Sequence, residues 1–169
     1  MAKVLIVDDD PAVCGMLSRV IKKMGHESEY VHTLKQGVAS AEAGDFDVVF
    51  LDVRMPDGNG LQFLPIIKKV PSSPEVIIIT AVGDPDGAEL AISNGAWDYM
   101  PKRTSIKEMT LPLIRALQYR QEKKARRPLA ALKREGIIGN SPRINECLDL
   151  LAQIGKHTSE LQSPNTISY

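Results

Sequence analysis

Val4-Leu5-Ile6-Val7-Asp8-Asp9-Asp10-Pro11 begins with four consecutive apolar residues, passes through three acids and turns into a proline. So short an uninterrupted apolar run is what a β-strand shows when helices cover both its faces, since an exposed face would alternate with polar residues. Asp10 before Pro11 fits a helix start, where a carboxylate accepts a free backbone N–H and proline has no N–H to leave stranded. The apolar side of the next segment (Val13, Leu17, Val20, Ile21, Met24) recurs at helical spacing, and Gly25 stops it. The stretch therefore predicts a buried strand, an acidic turn and an amphipathic helix.

The same unit recurs along the chain. Glu27 to Val31 reads as a weaker strand, and Thr33 as the cap of a second helix ending at Gly44. Val48-Val49-Phe50-Leu51 is the third strand, followed by a Gly/Pro loop and a helix carrying Leu61, Leu64 and Ile67. Val76-Ile77-Ile78-Ile79 is the fourth, followed by a helix with Leu90, Ala91 and Ile92 that ends at Asn94-Gly95. Trp97 to Met100 makes a short fifth strand, and Ser105 with Glu108 forms a capping box for a last helix carrying Ile106, Met109, Leu113 and Leu117. Pro112 can kink that helix. Five strands each followed by a helix give an α/β fold. The expectation is a doubly wound five-stranded parallel sheet in the flavodoxin-like order 2-1-3-4-5, helices on both faces, the last one extended.

In such sheets the functional crevice lies at the carboxyl ends of the strands. Those ends carry Asp8 and Asp9, then Asp52, then Thr80, with Lys102 just past the fifth strand. Carboxylates brought together repel one another and stay ionised only with a cation among them. Oxygen ligands without His or Cys favour a hard ion, and Mg²⁺ suits a site of few protein ligands. Such a group suits phosphoryl chemistry, with the ion and Lys102 neutralising charge while an oxygen nucleophile attacks in line.

In that order and at those positions, Val7-Asp8-Asp9, Leu51-Asp52-Val53-Arg54-Met55-Pro56-Asp57-Gly58, Thr80-Ala81 and Tyr99-Met100-Pro101-Lys102 resemble the receiver domain of bacterial two-component response regulators, over about residues 3–122. The resemblance implies that Asp52 is the phosphoacceptor, served by a sensor histidine kinase. It implies that Asp9, Asp52 and the Arg54 backbone carbonyl bind Mg²⁺ directly, with Asp8 acting through water. Thr80 and Lys102 would stabilise the phosphoryl group, and Tyr99 would be the switch aromatic, unless it is a plain core residue. A homodimer through the fourth helix, fifth strand and fifth helix is implied as well. One position departs from the family: Arg103 follows the lysine, where receivers usually have a proline in a cis bond. A trans bond is expected here, because the cis form without proline costs about 3 kcal/mol.

Other polar residues have plainer readings. Asp10 is a helix cap, and Asp57 serves its own turn, with Gly58 and Gly60 supplying unusual backbone angles. His26, His32 and His157 share no spacing and are expected on the surface or in loops. Cys14 and Cys147 read as reduced thiols of a cytoplasmic protein. No apolar run approaches the roughly 20 residues of a membrane span.

The net charge of zero hides an asymmetry: residues 1–114 hold 11 Lys/Arg against 16 Asp/Glu, and residues 115–169 hold 10 against 5. The expected organisation is a receiver domain at 1–122, a basic solvated linker at 123–136 with Pro128 ending the helix, a helical stub at 137–155 and a polar tail at 156–169. The stub (Ile137-Ile138-Gly139-Asn140-Ser141-Pro142, then Ile144, Cys147, Leu148, Leu151, Ile154) looks like the start of the AAA+ domain in sigma-54-dependent activators of the nitrogen-regulator type. Gly155-Lys156-His157 does not fit the phosphate-loop pattern G-x-x-x-x-G-K-S/T, so no ATPase core is expected. The chain thus reads as part of a longer transcription activator, whose DNA and sigma-54 polymerase contacts lie in domains outside it. It would be no enzyme beyond its own phosphotransfer and dephosphorylation. The rival reading is a Mg²⁺-dependent phosphohydrolase with Asp8 and Asp10 as a D-x-D pair and Asp8 as nucleophile.

Overall fold

The computed structural model describes residues 1–81, 85–103 and 105–125. Cys147, His157, Pro128, the stub and the tail lie outside the described residues, as does all of the linker beyond Ala125. The described chain runs β1 (Lys3–Val7), α1 (Pro11–Lys23), β2 (Glu27–Val31), α2 (Leu34–Ala43), β3 (Val48–Asp52), β4 (Arg54–Met55), β5 (Gly58–Asn59), α3 (Gly60–Lys69), β6 (Glu75–Thr80), α4 (Pro85–Ser93), β7 (Asp98–Pro101) and α5 (Ile106–Ala125).

Five strands pair in parallel in the order β2-β1-β3-β6-β7, which is the expected 2-1-3-4-5 once the small β4-β5 ladder is set aside. Alternate strand residues feed two cores, as the period of a pleated strand requires. Leu5, Val7, Val49, Leu51, Val76 and Ile78 pack with Leu34, Leu64, Ile67 and Ala91 of α2, α3 and α4. Val4, Ile6, Val48, Phe50, Ile77 and Ile79 pack with Leu17 and Ile21 of α1 and with Met109, Leu113 and Ala116 of α5. β2 is half exposed because it is an edge strand, paired to β1 alone. Chain order reverses between β1 and β3, which puts Asp8, Asp9 and Asp52 at the reversal point.

Two local expectations shift. The fifth strand is Asp98–Pro101, one residue later than its apolar content suggests, with the Trp97 N–H already bonded to the Val76 carbonyl at 2.7 Å. Pro101 is tolerated because β7 is an edge. The Gly/Pro loop after Asp52 contains a two-stranded antiparallel ladder, Arg54 opposite Asn59 and Met55 opposite Gly58. As expected of an extended last helix, α5 passes through Pro112 and continues to Ala125. Every peptide bond among the described residues is trans, including that after Lys102.

At the amino ends of the strands, α5 is tied down by charge. Asp47 and Glu75 are buried there, and Arg120, itself buried, donates to the Ser72 and Ser73 carbonyls at 2.8 and 2.9 Å and faces Asp47 at 3.5 Å. Lys124 reaches Asp47 at 2.6 Å, and Lys123 reaches Glu75 at 3.6 Å. Burial pushes the Asp47 carboxyl up, but its bonds to Lys124 and to the Lys3 N–H, with Arg120 nearby, outweigh that and hold it below its ordinary 3.8. Asp47→Asn leaves Arg120 buried without its counter-charge and is expected to destabilise the fold by about 3 kcal/mol at neutral pH. A carboxylate with a lowered pKa contributes fully above about pH 4 and loses that contribution as pH falls through its folded value. The wild-type and variant denaturation curves should therefore converge below pH 4, and a constant gap down to pH 2 would contradict this account.

Candidate functional site

Asp8, Asp9 and Asp52 each offer a carboxylate oxygen, and these atoms lie within 4.8 Å of one another. Asp8 follows β1 and Asp52 ends β3, neighbouring strands whose register (Val7 beside Leu51) brings the two acids level. Both are buried, at 0 % and 2 % exposure, whereas Asp9 faces solvent. Lys102 Nζ bridges the buried pair, donating to Asp8 Oδ1 at 2.9 Å and to Asp52 Oδ2 at 2.7 Å. The lysine is aimed by its backbone: β7 pairs Pro101 with Thr80, and the Lys102 N–H bonds the Thr80 carbonyl at 2.7 Å.

The charges hold one another in place. Burial raises the Asp8 carboxyl above its ordinary value, against the opposing pull of the Asp10 N–H and Lys102. Burial opposes the Lys102 charge too, but its bonds to Asp52 and Asp8 outweigh burial and raise it above 10.5. Asp8 Oδ2 is buried with no hydrogen-bond partner among the described residues. A buried carboxylate oxygen left this way is unfavourable unless a cation meets it. The donor set is all oxygen, so the cluster fits a hard divalent ion.

Thr80 ends β6 and is buried; Tyr99 on β7 is half-buried. With Arg54, Met55 and Asn59 they line one cavity of about 380 Å³ beside the acidic cluster's strand ends. Arg54 is exposed, and its N–H donates to Asp52 Oδ1 at 3.3 Å, which orients the carboxylate. Asp10 stays outside the cluster: its carboxylate accepts the Ala12 N–H at 2.8 Å as the α1 cap, which leaves no D-x-D pair facing one ion.

Two plain readings need correcting. Asp57 does not chiefly serve its own turn; its carboxylate reaches the Leu34 and Lys35 N–H groups at the start of α2. Of the two glycines, Gly58 has the unusual angle, φ 150°, while Gly60 is required by space, because an added Cβ would overlap the Asp52 backbone oxygen. Gly60→Ala must push the Asp52 loop outward, and a loss of about 3 kcal/mol by urea denaturation is expected. Wild-type stability would show that the loop has slack.

Sequence reasoning also missed contacts made by plain-looking residues. His32 Nδ1 lies 2.9 Å from the Asp8 carbonyl oxygen, and the Cys14 thiol donates to that same oxygen at 3.3 Å. The signal for His32 was available in the β1–β2 register, which sets Val31 beside Val7 and so His32 next to Asp8. Cys14 is a buried free thiol, pushed up to about 11 mainly by burial.

The sequence matches the response regulator receiver domain family over residues 4–113. It is 32 % identical over 164 residues to the DNA-binding transcriptional regulator NtrC of Azospirillum brasilense, covering 90 % of this chain and 32 % of that protein. It is 29 % identical over 151 residues to the transcriptional regulatory protein ZraR of Salmonella typhimurium, covering 89 % of this chain and 34 % of that one. The chain thus spans about a third of the length of these curated relatives. Among solved structures, the beryllofluoride-activated NtrC4 receiver domain dimer superposes with a TM-score of 0.67 at 32 % identity, covering 71 % of this chain and 99 % of that one. The match begins in β1 and ends inside α5, so it takes in the whole sheet, the acid cluster and the bridging lysine: the chain belongs to the response regulator receiver domain family.

Proposed function

We propose that this chain is the phosphorylation-controlled input of a transcription activator, in which Asp52 accepts a phosphoryl group from a sensor histidine kinase. The observation that carries this reading is the Lys102 bridge: one ammonium holds Asp8 and Asp52 together inside an all-oxygen cluster that fits Mg²⁺. Asp9, Asp52 and the Arg54 backbone carbonyl would hold the ion, with Asp8 acting through water. The ion would supply charge neutralisation on the transferring group.

The residues divide the remaining work. An Asp52 carboxylate oxygen forms the bond to phosphorus as the bond to the kinase histidine nitrogen breaks. Lys102 stays beside the acceptor and pairs with the added negative charge. Thr80 donates to a phosphoryl oxygen, and Tyr99, lining the same cavity, follows it inward. The exposed apolar side chains Leu90 on α4 and Leu111 and Ile114 on α5 support a homodimer through α4, β7 and α5. Alignments covering about 90 % of the chain run past residue 113, which supports a receiver at 1–122 followed by the linker and the start of an output domain. DNA and sigma-54 polymerase contacts belong to the remainder of such a protein, and its location is cytoplasmic.

Incubation with acetyl phosphate and Mg²⁺, followed by borohydride trapping and mass spectrometry, tests the reading. One phosphoryl group per chain at Asp52, absent when EDTA is present, is expected. Many turnovers of phosphate esters with the label on Asp8 would replace this reading by a phosphohydrolase.

A further inference from the structure

Asp57 belongs to no part of the machinery described so far, yet it makes two long-range bonds. Its carboxylate accepts the Leu34 N–H at 3.0 Å and the Lys35 N–H at 3.1 Å, from residues 23 and 22 positions earlier. The first-turn donors of α2 are thereby split: Thr33 Oγ1 takes the Gln36 N–H at 3.2 Å, and Asp57 takes the two before it. These bonds are charge-assisted and lie at the positive end of a ten-residue helix. They hold the Asp57 carboxyl below its ordinary value.

Asp57 sits in the turn between β4 and β5, and β4 begins with Arg54. The root of this hairpin is fixed by the Arg54 N–H on Asp52 Oδ1, the Gly60 N–H on the Val53 carbonyl at 2.9 Å and the buried Met55. Its tip rests on α2, where an added Cβ on Gly58 would stand 3.3 Å from Leu34 Cδ1 and where Asp57 makes its bonds. A hairpin pinned at its root alone can rock about the Arg54 N–H anchor, and the Arg54 carbonyl, on the tip side of that anchor, turns with it. Mg²⁺ accepts little such movement, because it demands near-ideal octahedral distances.

Resting on the metal reading above, we propose that Asp57 is a positioning residue for that ion: by bonding the start of α2 it holds the hairpin so that the Arg54 carbonyl meets Mg²⁺, without itself touching the ion. Removing such a support weakens metal binding by about tenfold.

Calorimetric titration of the 169-residue chain with Mg²⁺ alone tests this. Asp57→Ala is expected to raise the Mg²⁺ Kd about tenfold, and Asp57→Asn, which keeps one acceptor oxygen, by a smaller factor. Amide exchange at Leu34 and Lys35 should quicken in the same order. Thr33→Ala removes only the Gln36 N–H bond of the same helix, leaves the Leu34 and Lys35 N–H groups on Asp57, and should leave the Kd within about twofold of wild type. The proposal is overturned if Asp57→Ala binds Mg²⁺ as wild type does, or if Thr33→Ala weakens binding as much. Asp52→Asn separates the two levels. If it loses Mg²⁺ while Asp57→Ala does not, the metal reading stands and the positioning role falls. If wild type itself fails to bind Mg²⁺, both fall together.

Discussion

Asp52→Asn is expected to reduce labelling from acetyl phosphate to background, at least about 10³-fold below wild type, while the fold survives. The side chains have the same shape, but an amide oxygen carries no full negative charge and cannot displace a leaving group from phosphorus. The substitution also removes one of the three acids that can face an ion. Structural damage is not expected to cause the loss, because the other bond of Lys102, 2.9 Å to Asp8, does not involve the substituted residue. Relief of the repulsion between Asp52 and Asp8 offsets the lost Lys102–Asp52 pair, so denaturation midpoints should stay near wild type. Mass spectrometry and urea denaturation on one preparation check both halves. Full labelling at a residue other than Asp52 would move the acceptor elsewhere and end the proposed mechanism.

Much of this site could be read from the sequence because strand ends are where buried apolar runs stop and charge begins. Val4 to Val7 and Val48 to Leu51 announce two covered strands, and the acids that follow them can meet only at one edge of the sheet. Lys102 was identifiable by its place after the fifth strand, although a sequence does not show that its ammonium bridges both acids. What stayed hidden depends on contacts distant in the chain. Asp57 beside Gly58 looks like an ordinary turn, and nothing nearby says that its oxygens belong to α2. Gly60 reads as a second flexible glycine, when its role is to let α3 start hard against the Asp52 carbonyl. Arg120 lies where the apolar stripe of α5 fades and suggests a solvated surface. Its burial follows from Asp47 and from the Ser72 and Ser73 carbonyls, which lie far away in sequence. The small β4-β5 ladder was missed because two-residue strands carry no periodicity.

Lys102→Met carries the second large effect, and it acts on stability and chemistry in separable ways. Methionine fills similar space without charge, leaving Asp8 and Asp52 buried together with no cation. In metal-free buffer at pH 7 the variant is expected to lose about 3 kcal/mol. Lys102 has its pKa raised above 10.5, so its contribution is complete at neutral pH and disappears as pH climbs through the folded value. The gap to wild type should therefore stay level through neutrality and close above about pH 10.5. It should also narrow in acid, because Asp8, already raised by burial, loses the opposing pull of Lys102 and protonates more readily. Millimolar Mg²⁺ should restore much of the stability, as a divalent ion can replace the missing ammonium between the acids. Phosphoryl transfer should remain depressed by about 10²-fold even then, since no cation is left to pair with the incoming group from the β7 side. Denaturation with and without Mg²⁺, set beside the labelling rate, resolves these contributions. A variant as stable as wild type without metal would show that Lys102 is not the counter-ion of this cluster, while full labelling with Mg²⁺ would confine the lysine to holding two acids together.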